Sequence, residues 1–151
     1  MSAVSAGCLV TREGRDGIEV LLVHPRRATF RRPLFGIPKG LVEVDESLED
    51  AARRETEEET GLRVRLRAPL GSVTQASGKI VHAFWATVES ESEALVDAAG
   101  HCLHPDDEND VCRFYRFDQA AALMIPAQRI FLDRLREQNL HHRGTETQRK
   151  D

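Results

Sequence analysis

Lysine is scarce in this chain. Lys39, Lys79 and Lys150 stand against eighteen arginines. A bias of that kind can follow from genome composition alone. It still singles out Lys39 and Lys79, because an ammonium is a compact point charge suited to phosphate. Cysteine is also scarce: Cys8, Cys102 and Cys112 are odd in number and lack metal-type spacing. That argues against a disulfide framework or zinc site and for reduced, packed thiols. No apolar run approaches the roughly 18 residues that span a bilayer. The start, Met1-Ser-Ala-Val4, lacks the basic residues and apolar stretch of a signal peptide, so a cytoplasmic location without a membrane partner is expected. Excess positive charge is missing too. A net charge of -4 disfavours a general nucleic-acid binder and leaves room for a local basic pocket.

What is present is an ordinary globular composition, 40% hydrophobic and 30% charged over 151 residues. That suffices for one domain with a real core. The domain is expected over residues 1–140, with residues 141–151, which carry no apolar side chain, as a disordered tail. Residues 5–11 and Ile18 to His24 read as strands, joined by the turn cluster Glu13-Gly-Arg-Asp-Gly17. Residues 25–33 form a basic loop bounded by Pro25 and Pro33. Its Arg26, Arg27, Arg31 and Arg32 are either solvated or turned toward a substrate. Residues 35–40 are a short apolar piece ending in turn residues.

The helix signal is strongest from Ser47 to Thr60. Ser47 is a good N-cap, and Asp50 three residues on gives a weak capping box. Leu48, Ala51, Ala52 and Thr56 make a narrow stripe, and Gly61 suits a left-handed helix end. Residues 62–68 alternate apolar and basic, as a strand with two unlike faces does. Ser77-Gly-Lys79 makes a turn before the β-prone run Ile80 to Val88. Residues 89–110 are acidic and mostly loop. Val111 to Phe117 is a further strand, followed by a short helix capped by Asp118 and a longer one from Pro126. Strands, helix, strands, helix suggest an α+β fold with a mixed sheet packed between helices.

Four of the fifteen glutamates fall within five positions: Glu55, Glu57, Glu58 and Glu59. On a helix, Glu55, Glu58 and Glu59 share a face and repel, by roughly 0.2–0.5 kcal/mol per pair. They also sit at the negative end of the helix dipole. Such a conflict is expected where function overrides stability, and gathering a hard cation such as Mg²⁺ is one such function.

The spacing around them is specific. Gly40 precedes Glu46 by six positions, and Arg54-Glu55, Glu58-Glu59 and Gly61-Leu62 follow. This resembles the Nudix box, G-x5-E-x7-R-E-U-x-E-E-x-G-U, with Thr56 in place of the first aliphatic U. The resemblance to the Nudix hydrolases covers roughly residues 5–137. It implies an α/β/α sandwich and a pyrophosphohydrolase that uses Mg²⁺ or Mn²⁺. It further implies Glu58, Glu59 and the Gly40 carbonyl as principal ligands, with Glu55 as a further ligand or the base. Arg54 would orient the carboxylates and Glu46 support the loop–helix geometry. Glu57 occupies the variable position. Members often add a carboxylate from outside the box, and Glu108 in Asp106-Asp-Glu-Asn-Asp110 fits that place.

Ile37-Pro-Lys-Gly40 and Ser77 to Trp85 are similar to segments of dinucleoside polyphosphate hydrolases and nucleoside triphosphate pyrophosphohydrolases. That likeness implies phosphate contacts for Lys39 and Lys79, with Arg26, Arg27 and His82 as further substrate-side candidates. Phe84 or Trp85 could stack on a base or pack in the core. The expected protein is a monomer or homodimer acting on a small nucleotide or polyphosphate. Diphosphoinositol polyphosphate, ADP-ribose and nucleotide sugars are alternative substrates. A nucleotide sensor without turnover is an alternative of another class.

Overall fold

The computed structural model describes residues 3–26 and 35–138. Arg27, Arg31, Arg32 and the tail expected over 141–151 lie outside the described residues. Strands β1 (Val4–Gly14) and β2 (Gly17–Pro25) form the expected hairpin, with Gly14 opposite Gly17. Gly17 takes φ 109°, a turn conformation that side chains resist.

β1 is the axis of the sheet. On one edge it runs parallel to β5 (Ile80–Val88). On the other it meets two strands in succession, β2 over Thr11 to Gly14 and the short β3 (Lys39–Leu41) over Ser5 to Gly7. With β4 (Val64–Thr74) and β6 (Asn109–Arg116) the order is β4-β5-β1-β2-β6, and β3 stands off this path. The sheet is mixed, as expected.

β1 and β2 therefore diverge, and residues 35–38 fill the gap. Gly36 exchanges two hydrogen bonds with Val23 (2.9 and 3.0 Å), and the Cys8 N–H donates to the Pro38 carbonyl at 3.3 Å. Residues 35–40 were expected to end in a turn. The chain bends at Pro38, but Lys39 and Gly40 continue as β3, which can pass over Gly7 because that residue has no side chain.

Helix α1 (Leu48–Thr60) starts where its cap signal lies: the Ser47 hydroxyl accepts the Asp50 N–H at 3.1 Å. It ends at Gly61, φ 77°, whose N–H donates to the Glu57 carbonyl. The small stripe Ala51, Ala52, Thr56 is buried against Ala6, Cys8, Val10, Phe84 and Phe114, so the helix lies close on one sheet face.

The other face carries Leu9, Val20, Leu22 and Val81 beneath α2 (Phe117–Leu123) and α3 (129–138). Phe131, Leu132 and Leu135 anchor α3, each contributing about 1.5–3 kcal/mol by burial. The layering is the α/β/α sandwich expected. Two local expectations differ. Asp118 does not cap α2; it lies in the first turn, while the Arg116 N–H is taken by the Gln119 side chain at 3.2 Å. Residues 89–110 contain a 3-10 turn, Ser90–Leu95, within the loop.

Candidate active site

The last two turns of α1 place Glu55, Glu58 and Glu59 on one face, turned toward Gly40 and β3. A Cβ on Gly40 would fall on the Glu55 carboxylate, so this position has to lack a side chain. Arg54 reaches back from the helix to the preceding loop. Its Nε and Nη2 fork onto Glu46 at 2.8 and 2.9 Å, and its Nη2 also donates to the Leu41 carbonyl at 3.1 Å. Nη1 donates to Glu55 at 2.8 Å and Glu58 at 3.3 Å. One guanidinium thus fixes three carboxylates, which a point-charged lysine could not do. These hydrogen bonds hold the Glu46 carboxyl down at about 2 and make the Arg54 proton harder to remove.

Glu59 turns the other way. The Cys8-to-Pro38 and Val42-to-Val4 bonds set the phase of the β1–β3 ladder, so the Lys39 N–H points away from β1. Glu59 accepts that N–H at 2.7 Å. Burial raises the Glu59 pKa to about 8; the Lys39 N–H opposes the shift, and Asp106 and Glu55 add to it. Burial also raises Glu55, opposed by Arg54 and reinforced by Glu58 and Glu108. Glu58 is exposed. Glu57 is also exposed and pairs only loosely, with Arg63 at 3.3 Å.

Facing this helix end is a cleft of about 620 Å³ lined by Pro25, Arg26, Glu59, Asp107, Glu108 and Asn109. The Asp106 N–H donates to the Glu59 carbonyl at 3.0 Å, tying the acidic loop to α1. Glu108 stands close enough to Glu55 for their charges to interact. Arg26 lines the cleft with its guanidinium engaged: Nε donates to the Asp107 carbonyl at 2.9 Å, and Nη2 lies 3.5 Å from that of Asn109. Arg27 is outside the described residues.

Lys39 lies over Gly7, on the sheet face away from α1. Burial lowers its pKa; Glu59 opposes this, and the charge of Lys79 lowers it further. The two lysines, forty residues apart in sequence, are therefore neighbours. His82 pairs with Ala6 on the opposite sheet face, half-buried. Phe84 is buried beneath α1, and the Trp85 indole N–H donates to the Thr11 hydroxyl at 2.9 Å. Phe84 thus packs in the core, while Trp85 is half-buried at the edge of the second cluster.

One residue was not singled out in the sequence. Gln128 is fully buried, accepting the Ile37 N–H at 2.9 Å and donating to the Gln75 side chain at 2.9 Å. A polar residue at a core-facing position just after Pro126 was the available signal.

Among the described residues, no three His, Cys, Asp or Glu side chains stand together as a ready cation cage. Arg54 and the Lys39 N–H occupy the carboxylate oxygens instead. The donor set still fits a hard cation: it is all oxygen, and the half-buried Glu59 carboxylate has, among the described residues, a single N–H partner.

The NUDIX domain profile matches residues 1–135. The chain belongs to the Nudix family. It is similar to the Caenorhabditis elegans protein called nudix hydrolase 1, with 32% identity over 83 residues, 55% of this chain and 22% of that protein. The chain thus spans about a fifth of that relative's length. Among solved structures it resembles a C. elegans Ap4A hydrolase in a binary complex, with TM-score 0.73, 18% identity, and 91% of this chain and 98% of that one covered. A Nudix hydrolase from Nitrosomonas europaea gives TM-score 0.62, 24% identity and coverage of 89% and 69%. The MutT protein of Methanosarcina mazei Go1 gives 0.65, 22%, 91% and 95%. At these identities the structural likeness is one of fold. In this Nudix protein no helix among the described residues is long and apolar enough to cross a membrane.

Proposed function

We propose that this Nudix protein is a pyrophosphohydrolase dependent on Mg²⁺ or Mn²⁺, acting on diadenosine polyphosphates or nucleoside triphosphates. The observation that supports the reading is that Glu59 and Glu108 line one cleft, with Glu55 near enough to Glu108 for their charges to interact and with Lys39, neighbour of Lys79, beside Glu59.

Glu58, Glu59, Glu55 and the Gly40 carbonyl are the groups that would hold the cation. When bound, such an ion neutralises charge on the phosphate oxygens and makes water more acidic. Arg54 keeps Glu55 and Glu58 aimed, through one oxygen of Glu55 at 2.8 Å and through longer contacts of 3.3 and 3.5 Å to Glu58. Lys39 and Lys79 would balance the charge of the polyphosphate chain on the side away from α1. Glu55 or Glu108 would accept the proton of the attacking water. Both lie in a carboxylate-rich environment, and burial already raises the pKa of Glu55.

The test is incubation with Mg²⁺ and a panel of diadenosine polyphosphates, nucleoside triphosphates, ADP-ribose, a nucleotide sugar and a diphosphoinositol polyphosphate, with products resolved by chromatography. Turnover confined to one of the last three would overturn the substrate assignment. Tight binding with no turnover of any would replace the enzyme by a sensor.

A further inference from the structure

The segment that leads into the box has an unusual set of backbone partners. The Phe35 and Gly36 N–H groups donate to the carbonyls of Leu123 and Val23. Pro38 has no N–H to place. Lys39 points its N–H away from β1, and Ile37, across the bend at Pro38, also finds its acceptor on a side chain. Lys39 finds the Glu59 carboxylate, and Ile37 finds the Oε1 of Gln128. The two N–H groups that flank Pro38 are thus held by a site carboxylate and by a buried amide.

The other end of that amide reaches the second lysine. Gln128 Nε2 donates to Gln75 Oε1, and the Gln75 N–H donates to the Lys79 carbonyl at 2.8 Å. Gln75 and Lys79 therefore close the β4–β5 turn, and Gln128 anchors that turn from below. The Gln128 side chain fits only because Gly36 has no Cβ, which would approach it to 2.9 Å. A fully buried side chain with both polar atoms used has little freedom to move either partner.

We propose that Gln128 is a positioning residue for the polyphosphate site, fixing Lys39 and the Glu59 contact through Ile37, and Lys79 through Gln75. This rests on the pyrophosphohydrolase reading, but part of its test needs no turnover. Wild type, Gln128→Met, Gln128→Glu and Gln75→Met are compared in the full chain. Three quantities are followed: amide exchange at Ile37 and Lys39, Mn²⁺-dependent binding of inorganic tripolyphosphate, and kcat and KM on diadenosine tetraphosphate.

Gln128→Met should speed exchange at both amides, weaken tripolyphosphate binding, and lower kcat by roughly ten- to a hundredfold, the scale of small misplacements. Gln75→Met should raise KM and weaken tripolyphosphate with kcat and both amides held. Gln128→Glu keeps an acceptor for Ile37, and the Gln75 amide can turn to donate to it, so protection and most of kcat should return. A Gln128→Met protein with a lower Tm but wild-type Lys39 exchange, tripolyphosphate affinity and kcat/KM overturns the proposal, leaving Gln128 a packing residue. Should Gln128→Met not fold, unchanged KM and tripolyphosphate binding in Gln75→Met overturn it equally. If the wild type turns over no diphosphate, the enzymatic reading fails, while exchange and tripolyphosphate binding still decide the role of Gln128.

Discussion

The two sides of the candidate site are built by opposite means. On the α1 wall, side chains are pinned to side chains and to a strand edge: Arg54 grips Glu46, Glu55 and Glu58, and the Lys39 N–H grips Glu59. On the acidic-loop wall, Arg26 grips backbone, donating its own N–H to the Glu108 carbonyl and its Nε to that of Asp107. The first wall fixes carboxylates directly. Through Arg26, the second fixes the chain that carries Asp107 and Glu108. The lesson is a division between a preorganised wall and one whose side chain can follow the reacting groups.

The largest effect should come from the pinned wall. Glu58→Gln removes an oxygen proposed to hold the cation without disturbing the buried layer, and is expected to lower kcat on the order of a thousandfold with an unchanged Tm. A wild-type rate would remove Glu58 from the ligand set. On the opposite wall, Glu108→Gln should lower kcat by about a hundredfold, the lower end for a proton acceptor. Its effect on Mn²⁺ affinity should be much smaller than that of Glu58→Gln. Equal losses of Mn²⁺ affinity in the two variants would erase the distinction between the walls.

Arg54→Lys should cost about tenfold in kcat, because one ammonium cannot serve three carboxylates. A fully active Lys variant would show that charge alone suffices. Glu46 offers a pH test. Its pKa is depressed from 4.5 to about 2, so its stabilisation is complete above pH 4.5 and is lost as pH falls toward 2. The Tm gap between wild type and Glu46→Gln should narrow over that window; a constant gap would mean the pairing is not what Glu46 contributes.

The smallest effect concerns the underside of α1, where the buried Thr56 hydroxyl has, among the described residues, no nitrogen or oxygen partner and only the Cys8 thiol beside it. Thr56→Val keeps the shape and should raise stability by about 1 kcal/mol while leaving kcat alone. Denaturant unfolding reads this directly, and a destabilised Val variant would show that the hydroxyl is satisfied after all.

Much of the pinned wall was legible because its signals are local. Ser47, the Ala51-Ala52-Thr56 stripe and Gly61 determine α1 between its two caps, and the box spacing then fixes which carboxylates share its face. β4 was legible for the same reason, through alternation of Leu62, Val64 and Leu66 with Arg63, Arg65 and Arg67. β3 was not. Three residues carry no period, and its pairing depends on a glycine more than thirty positions earlier, Gly7. Gln128 was hidden likewise, since its partners Ile37 and Gln75 lie 91 and 53 residues away. Arg26 showed its charge in the sequence but not that its guanidinium would be spent on carbonyls.

Glu59 also bears on how the site can be dissected. Its carboxylate completes a sheet edge as well as belonging to the candidate cation site. Alanine there would strand the Lys39 amide along with removing a charge, so a dead alanine variant would be uninterpretable between lost chemistry and a loosened strand. Glutamine, which retains an oxygen for that amide, separates the two. At this position the choice of replacement decides what question is being asked.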